Sequence, residues 1–306
     1  MQTNNEKQPT LIKHPIILDT DIGNDIDDTW ALGYALKCPE LDIKLITTAT
    51  GDTEYRARIV AKFLESVGRT DIPIGMGKPD KWKGLRPQKK WIKHYNIQQY
   101  PGAIEENGVN AIIKTVSAFE HSNKRPKIVA IGPLNNIADL LSKKPDIIHE
   151  SEFIGMHGSI RYGYGAQKGN MPEYNIVHNI EASKQVFSSK WKKTITPLDT
   201  CGDIILEGKN YEKLLESDDR IVQNILENYR IWAKRKNKRS SVLFDTVAIY
   251  LAYSDKLLRM EQLKLKVNDS GCTIIDPEDG QIVNVATSWK DKNQFKKMLV
   301  DRLTSQ

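Results

Sequence analysis

Short apolar runs alternate with stretches of helical periodicity along the chain, a pattern that admits few architectures other than an α/β fold around a largely parallel sheet. Ile16 to Leu18 reads as a buried first strand, Thr29 to Leu36 as a helix, and Leu45 to Ala49 as a second strand. Ala57, Val60, Ala61, Leu64 and Val67 then recur at helical spacing, and Gly68 is placed to end that helix. Val109, Ile112, Ile113, Val116 and Phe119 repeat the pattern. Further strands are expected at Lys127 to Ile131, Glu152 to Met156 and Thr194 to Thr196. Helices are expected near Asn136 to Leu141, Glu181 to Phe187, Asp219 to Lys234 and Thr246 to Tyr253. A strand-rich stretch from Leu263 to Val285 and a closing helix near Asn293 to Leu303 complete the pattern. With 306 residues and 39% hydrophobic content the chain can bury a substantial core, and no repeat or linker divides it. Residues 14–306 therefore read as one domain behind a disordered polar tail, residues 1–13.

Polar residues gather where those strands end. The first strand ends in Asp19 and Asp21, the second in Thr50-Gly51-Asp52, and two later ones in Gly132-Pro133-Leu134-Asn135-Asn136 and Met156-His157-Gly158. Ligands of open α/β sheets bind at the carboxyl ends of strands, so these loops are expected to converge on one crevice. Five aspartates, Asp19, Asp21, Asp25, Asp27 and Asp28, fall inside ten residues there. Carboxylates this close repel and raise one another's pKa, so a fold that keeps several ionised supplies a cation or a dense set of donors. Oxygen ligands without neighbouring histidine or cysteine favour calcium or magnesium over zinc. An EF-hand is excluded: twelve residues counted from Asp19, Asp21 or Asp25 end on Trp30, Leu32 or Leu36, where that loop requires a glutamate. Helix capping accounts for one or two of the aspartates but not for five.

Composition narrows the remaining classes. Cys38, Cys201 and Cys272 are far apart, odd in number and without CxxC spacing, which argues against a disulfide framework and for a reducing, cytoplasmic compartment. Met1 to Lys13 lacks the apolar stretch of a secretory signal, and no segment approaches eighteen consecutive apolar residues, so no membrane partner is expected. The formal charge of +6 lies partly in two basic runs, Lys78 to Lys93 with Trp82 and Trp91, and Lys234 to Arg239. Such runs can hold single-stranded nucleic acid, but solvated loops are the better reading, and no nucleic-acid partner is expected.

The motifs resemble those of the nucleoside hydrolases of the inosine/uridine-preferring type. The resemblance rests on Asp19-Thr20-Asp21-Ile22-Gly23 leading into Asp27-Asp28, Thr47-Thr48-Ala49-Thr50-Gly51-Asp52, and Gly68-Arg69-Thr70-Asp71-Ile72-Pro73-Ile74. It continues in Gly132-Pro133-Leu134-Asn135-Asn136-Ile137-Ala138, Glu173-Tyr174-Asn175 followed by Glu181-Ala182, Pro197-Leu198-Asp199, and Phe244-Asp245. These seven stations run in family order over nearly the whole chain from Pro15 onward. The resemblance implies a Rossmann-like core with a central mixed, mostly parallel sheet flanked by helices, assembled as a homodimer or homotetramer. It implies one calcium held by Asp21, Asp28, Asp245 and a backbone carbonyl near Asn135. Asp21 would accept a proton from the water that attacks the ribose, giving ribose and free base. Glu173 and Asn175 would clamp ribose hydroxyls, with Asp27 and Asp52 beside them and Phe244 against the base.

Several positions depart from the family pattern. Many members carry a histidine where Phe244 stands, and it protonates a departing purine; an aromatic ring here cannot. Tyr229, Trp232 and His157 are the other candidates for a hydrogen bond to the base. Asp52 replaces a usual asparagine, isoleucine replaces proline at Ile22 and Ile180, and the aspartate pair begins two residues late, so either Asp25 or Asp27 is the ribose contact. Two other classes stay open. Asp19-Thr20-Asp21 also resembles the nucleophile-and-acid pair of magnesium-dependent haloacid dehalogenase-type phosphohydrolases, although Ile22-Gly23-Asn24 does not match that family. A non-catalytic nucleoside or ribose binder is the third, and the retained Asp21 argues against it. The stretch from Lys78 to Tyr100 reads as a lid or an oligomer contact.

Overall fold

The computed structural model describes residues 13–81, 84–234 and 237–305. All of the expected tail except Lys13 lies outside the described residues, as do Trp82, Lys83, Arg235 and Lys236 of the basic runs.

Among the described residues ten strands, β1 (His14–Thr20), β2 (Leu41–Thr48), β3 (Ile74–Met76), β4 (Ile104–Glu105), β5 (Lys127–Ala130), β6 (Glu152–Met156), β7 (Lys193–Thr196), β8 (Leu258–Val267), β9 (Thr273–Ile275) and β10 (Gln281–Trp289), form one sheet. Their order is β4-β3-β2-β1-β5-β6-β7-β10-β8-β9. Every pair from β4 across to β10 is parallel, whereas β8 runs antiparallel to β10 and β9 to β8. Among the described residues twelve α-helices cover the sheet: α1 (Asp27–Leu36), α2 (Thr53–Ser66), α3 (Gly108–Ser117), α4 (Asn135–Lys143), α5 (Ile147–Glu150), α6 (Tyr174–His178), α7 (Ile180–Ser188), α8 (Leu198–Cys201), α9 (Lys209–Leu215), α10 (Arg220–Ala233), α11 (Thr246–Leu251) and α12 (Lys292–Leu303). The expected α/β class and mixed, mostly parallel sheet are what the chain adopts.

Alternation along the strands explains why they read as continuous apolar runs. Ile16 and Leu18 enter a core shared with α1, α2, α10 and α11, while Ile17 between them enters a second core with α3, α4 and α7 on the opposite face. All three are fully buried, and each such side chain contributes roughly 1.5–3 kcal/mol. β6 matches its expected span, and most other expected elements differ only at their ends. β3 and β4 have no counterpart among the expected strands because, at three and two residues, they are defined by pairing onto β2 and onto each other rather than by local pattern. Glu173 caps α6, which begins at Tyr174 and carries Asn175.

The topology creates the crevice. From β1 the chain builds outward through β2, β3 and β4, then returns to add β5 on the other side of β1. The loops after β1 and β5 therefore leave in opposite directions, and the carboxyl ends of these strands border an opening at the switch point.

Candidate active site

The segment from Thr20 to Asp28 is a locked loop. Ile22 and Ile26 are fully buried and pin it from below. Gly23 has φ of +109°, and a Cβ there would meet the Tyr55 ring at 2.7 Å, so glycine alone fits the turn. Tyr55 donates its hydroxyl to the Gly23 carbonyl at 3.0 Å, and Trp232 donates Nε1 to the Asn24 carbonyl at 3.0 Å. Thr20 donates its hydroxyl to Asp28 and accepts from the Ile22 amide.

This loop and the start of α11 bring carboxylates together from opposite ends of the chain. Asp27, Asp28 and Asp245 each offer an oxygen within 4.8 Å of the others. Asp21, Asp27, Asp28 and Asp245 are all 5% exposed or less. Asp245 occupies the N-cap position of α11 but makes no capping bond, so helix capping does not explain it. Burial first, and then the neighbouring charges, hold Asp27, Asp28 and Asp245 well above the usual carboxylate range. Burial also raises Asp21, against the pull of Arg56, whose Nη2 lies 3.8 Å from Asp21 Oδ2. One guanidinium cannot balance four crowded carboxylates in a low-dielectric site, so keeping them ionised calls for further positive charge. That all-oxygen, anionic donor set fits a hard divalent cation.

A cleft of about 250 Å³ opens on this cluster. Of the expected site residues, Asp21, Asp27, Asp28, Glu173, Asn175, Phe244 and Asp245 all line it. Glu173 is the N-cap of α6, accepting from the Asn175 amide at 2.7 Å and the Gly158 amide at 3.0 Å, and burial pushes its pKa up to about 7. Asn175 donates Nδ2 to the carbonyls of Ile131 and Met156, both at 3.1 Å, tying α6 to the carboxyl ends of β5 and β6.

Two expected residues lie elsewhere. Asp52 caps α2 through the Tyr55 amide at 2.9 Å, pairs with Arg86, and lines a neighbouring pocket. Asn135 opens α4 with its amide 3.5 Å from Asp80 Oδ2 and lines another pocket; Ile131, earlier in the same loop, is the residue that lines the cleft. Asp19 is fully buried, bonded to Thr47 and Asn136, and lifted to about 6 by burial. It supports the loop from beneath and is not placed to be a phosphatase nucleophile.

The other candidates for contact with a base sort differently. His157 is fully buried with Nε2 3.1 Å from the Gly132 carbonyl, and burial lowers its pKa to about 4, so it is neutral near pH 7. Tyr229 and Trp232 stack at 6.0 Å in an adjoining cleft that shares Asp25 and Phe244 with the first. Trp91 of the basic run is buried and donates to Glu227 at 3.0 Å, which removes it as a stacking platform.

Sequence reasoning missed Arg56, Tyr164, Tyr174 and Asn24. Arg56 is 2% exposed and donates to the carbonyls of Thr50 at 2.9 Å and Ile22 at 3.0 Å. Nothing in its helical context marked it, because its burial comes from the Asp21 loop folding over it. Removing one member of a buried ion pair costs about 3–5 kcal/mol, so Arg56→Ala is expected to lose about that much stability in urea unfolding. Tyr164 sets its edge against Phe244 at 6.0 Å, and Tyr174 accepts from Asn24 at 3.2 Å. Gly132 lets β5 approach the first loop: a Cβ there would meet the Asp21 amide at 2.8 Å and its Oδ1 at 2.9 Å. Gly132→Ala is therefore expected to displace the Asp21 carboxylate and cut turnover at least tenfold, with a smaller effect on the unfolding midpoint.

Comparison with known proteins bears on this geometry. The family model described as inosine-uridine preferring nucleoside hydrolase matches residues 16–299. The non-specific ribonucleoside hydrolase RihC of Salmonella paratyphi B is 28% identical, over 86% of this chain and 88% of its own length. The pyrimidine-specific ribonucleoside hydrolase RihA of Photobacterium profundum is 29% identical over 69% of each. A plant nucleoside hydrolase superposes with a TM-score of 0.80 at 22% identity, covering 96% of this chain and 99% of its own. A purine-preferring ribonucleoside hydrolase from Gardnerella vaginalis gives 0.75 at 24% identity, covering 95% and 98%. The chain belongs to the inosine-uridine preferring nucleoside hydrolase family. It is thus an N-glycosidase by class, and the expected resemblance and fold both hold. Among the described residues no helix is long and apolar enough to cross a membrane.

Proposed function

We propose that this protein hydrolyses the N-glycosidic bond of a ribonucleoside or related N-riboside in a calcium-dependent reaction, giving ribose and free base. The observation that carries the reading is the convergence of Asp21, Asp27, Asp28 and Asp245 beside Glu173, Asn175 and Phe244 in one cleft. Asp28 and Asp245, with Asp21, are the side chains to hold the ion, and Asp27 lies close enough to share it. Once bound, a divalent cation acidifies water and grips sugar hydroxyls.

Asp21 takes the proton of the attacking water on its carboxylate, and Arg56 opposes part of the cost of burying that charge. Asp27, Glu173 and Asn175 fix the ribose hydroxyls. Positive charge grows on the sugar as the bond to the base lengthens, and the surrounding carboxylates stabilise it. Phe244 packs against the base. The role implied for Asp52 has less support, since its carboxylate is engaged outside the cleft; the role implied for a backbone carbonyl near Asn135 stands as proposed, with Ile131 the residue of that loop that lines the cleft. The assembly implied is a homodimer or homotetramer in the cytoplasm, which light scattering tests for oligomeric state.

Purified protein incubated with a panel of N-ribosides is expected to release ribose and free base. A panel left wholly intact in the presence of calcium would reject the reading.

A further inference from the structure

Hydrolysis of an ordinary nucleoside expels the base with an extra electron pair, so an enzyme normally supplies a proton to it. Phe244, at the wall where the family resemblance places that acid, has no proton to give. Every charged side chain among the described lining residues is a carboxylate, and Tyr164, Tyr174 and Phe244 supply aromatic surface. Lys238 and Arg239 are exposed in the adjoining cleft. An acidic, aromatic wall attracts a cationic ring through its charge and its π faces.

We propose that the cleft selects N-ribosides whose ring nitrogen is already cationic, of the pyridinium class, over inosine and uridine. This deepens the N-riboside reading and rests on it. The water oxygen bonds to the anomeric carbon, and the carbon–nitrogen bond breaks with its electron pair passing to the ring nitrogen. The pair cancels the ring's positive charge, so the leaving group departs neutral without a proton. The proton from water passes to Asp21 and then to solvent, one per turnover.

The test compares kcat/KM for nicotinamide riboside, inosine and uridine with the calcium-supplemented protein. An acid missing at the Phe244 position costs an ordinary base about two to four powers of ten, and burial makes the Tyr164 and Tyr174 hydroxyls poor substitutes, so nicotinamide riboside is expected to lead by at least 100-fold. Inosine or uridine within tenfold of it overturns the proposal while leaving the N-riboside reading intact; no cleavage of any riboside overturns that reading instead. Because pyridinium ribosides differ in intrinsic reactivity, binding is read separately. The 1-methylnicotinamide cation is expected to inhibit at least tenfold more tightly than neutral nicotinamide, and equal inhibition overturns the proposal. Phe244→His is expected to raise inosine kcat/KM at least tenfold without raising that of nicotinamide riboside, and a parallel rise in both overturns it. Phe244→Leu keeps the wall apolar and removes the ring; KM for nicotinamide riboside is expected to rise about 3- to 30-fold, and an unchanged KM overturns it.

Discussion

Asp21→Asn is expected to lower kcat by about 10²–10⁴-fold while leaving the protein folded, because an amide cannot take the proton of the attacking water. The effect on stability is expected to be small for two opposing reasons. Arg56 loses a charged neighbour at 3.8 Å but keeps its bonds to Thr50 and Ile22. Asp28 and Asp245 are in turn relieved of a like charge that raises their pKa. Steady-state kinetics with a cleaved riboside, alongside a thermal melt, separates the two effects. Turnover retained within threefold removes Asp21 from the proton transfer.

Chelation is expected to abolish turnover and to change how stability depends on pH. In the ion-free protein, burial raises Asp19 to about 6 and Glu173 to about 7, with Asp27, Asp28 and Asp245 also raised. Unfolded carboxylates titrate near about 4, so the folded state holds more protons between that pH and about 7. The stability these groups contribute is full below about pH 4 and is lost as pH rises through their folded pKa values. A tenfold difference in a carboxyl group's proton affinity between the folded and unfolded chain is worth about 1.4 kcal/mol, so the ion-free protein is expected to melt at a higher temperature at pH 5 than at pH 8. Calcium favours the ionised carboxylates, and at 100 times its Kd it adds about 2.7 kcal/mol at pH 8. Added calcium is thus expected to raise the pH 8 melt by several degrees and the pH 5 melt much less. A melt insensitive to calcium at both pH values counts against an ion at this cluster.

Much of the fold was legible because its central strands are long enough and buried on both faces. β1 and β6 show it most clearly, through the apolar runs Ile16-Ile17-Leu18 and Phe153-Ile154-Gly155-Met156. β3 and β4 were illegible since pairing with a neighbour, not composition, makes them strands. The aspartates were legible as a cluster, and Asp245 joined them only through the family order, since 217 residues separate it from Asp28. Arg56 and Tyr164 left no local signature: the first is buried by a loop closing over it, and the second gains its place by contact with Phe244. Asp52 illustrates the opposite failure, where a motif position is occupied but its carboxylate serves a helix end and Arg86.

The cleft takes its acids from residues 21–28, 173 and 245 and its remaining walls from residues 24, 131–175 and 244, so it exists only when early and late parts of the chain have docked on the same sheet. A nascent chain released before α11 has formed would own most of the sugar-binding groups yet lack Asp245 and the ring beside it. Such a site is complete only once the last of its residues has docked on the sheet.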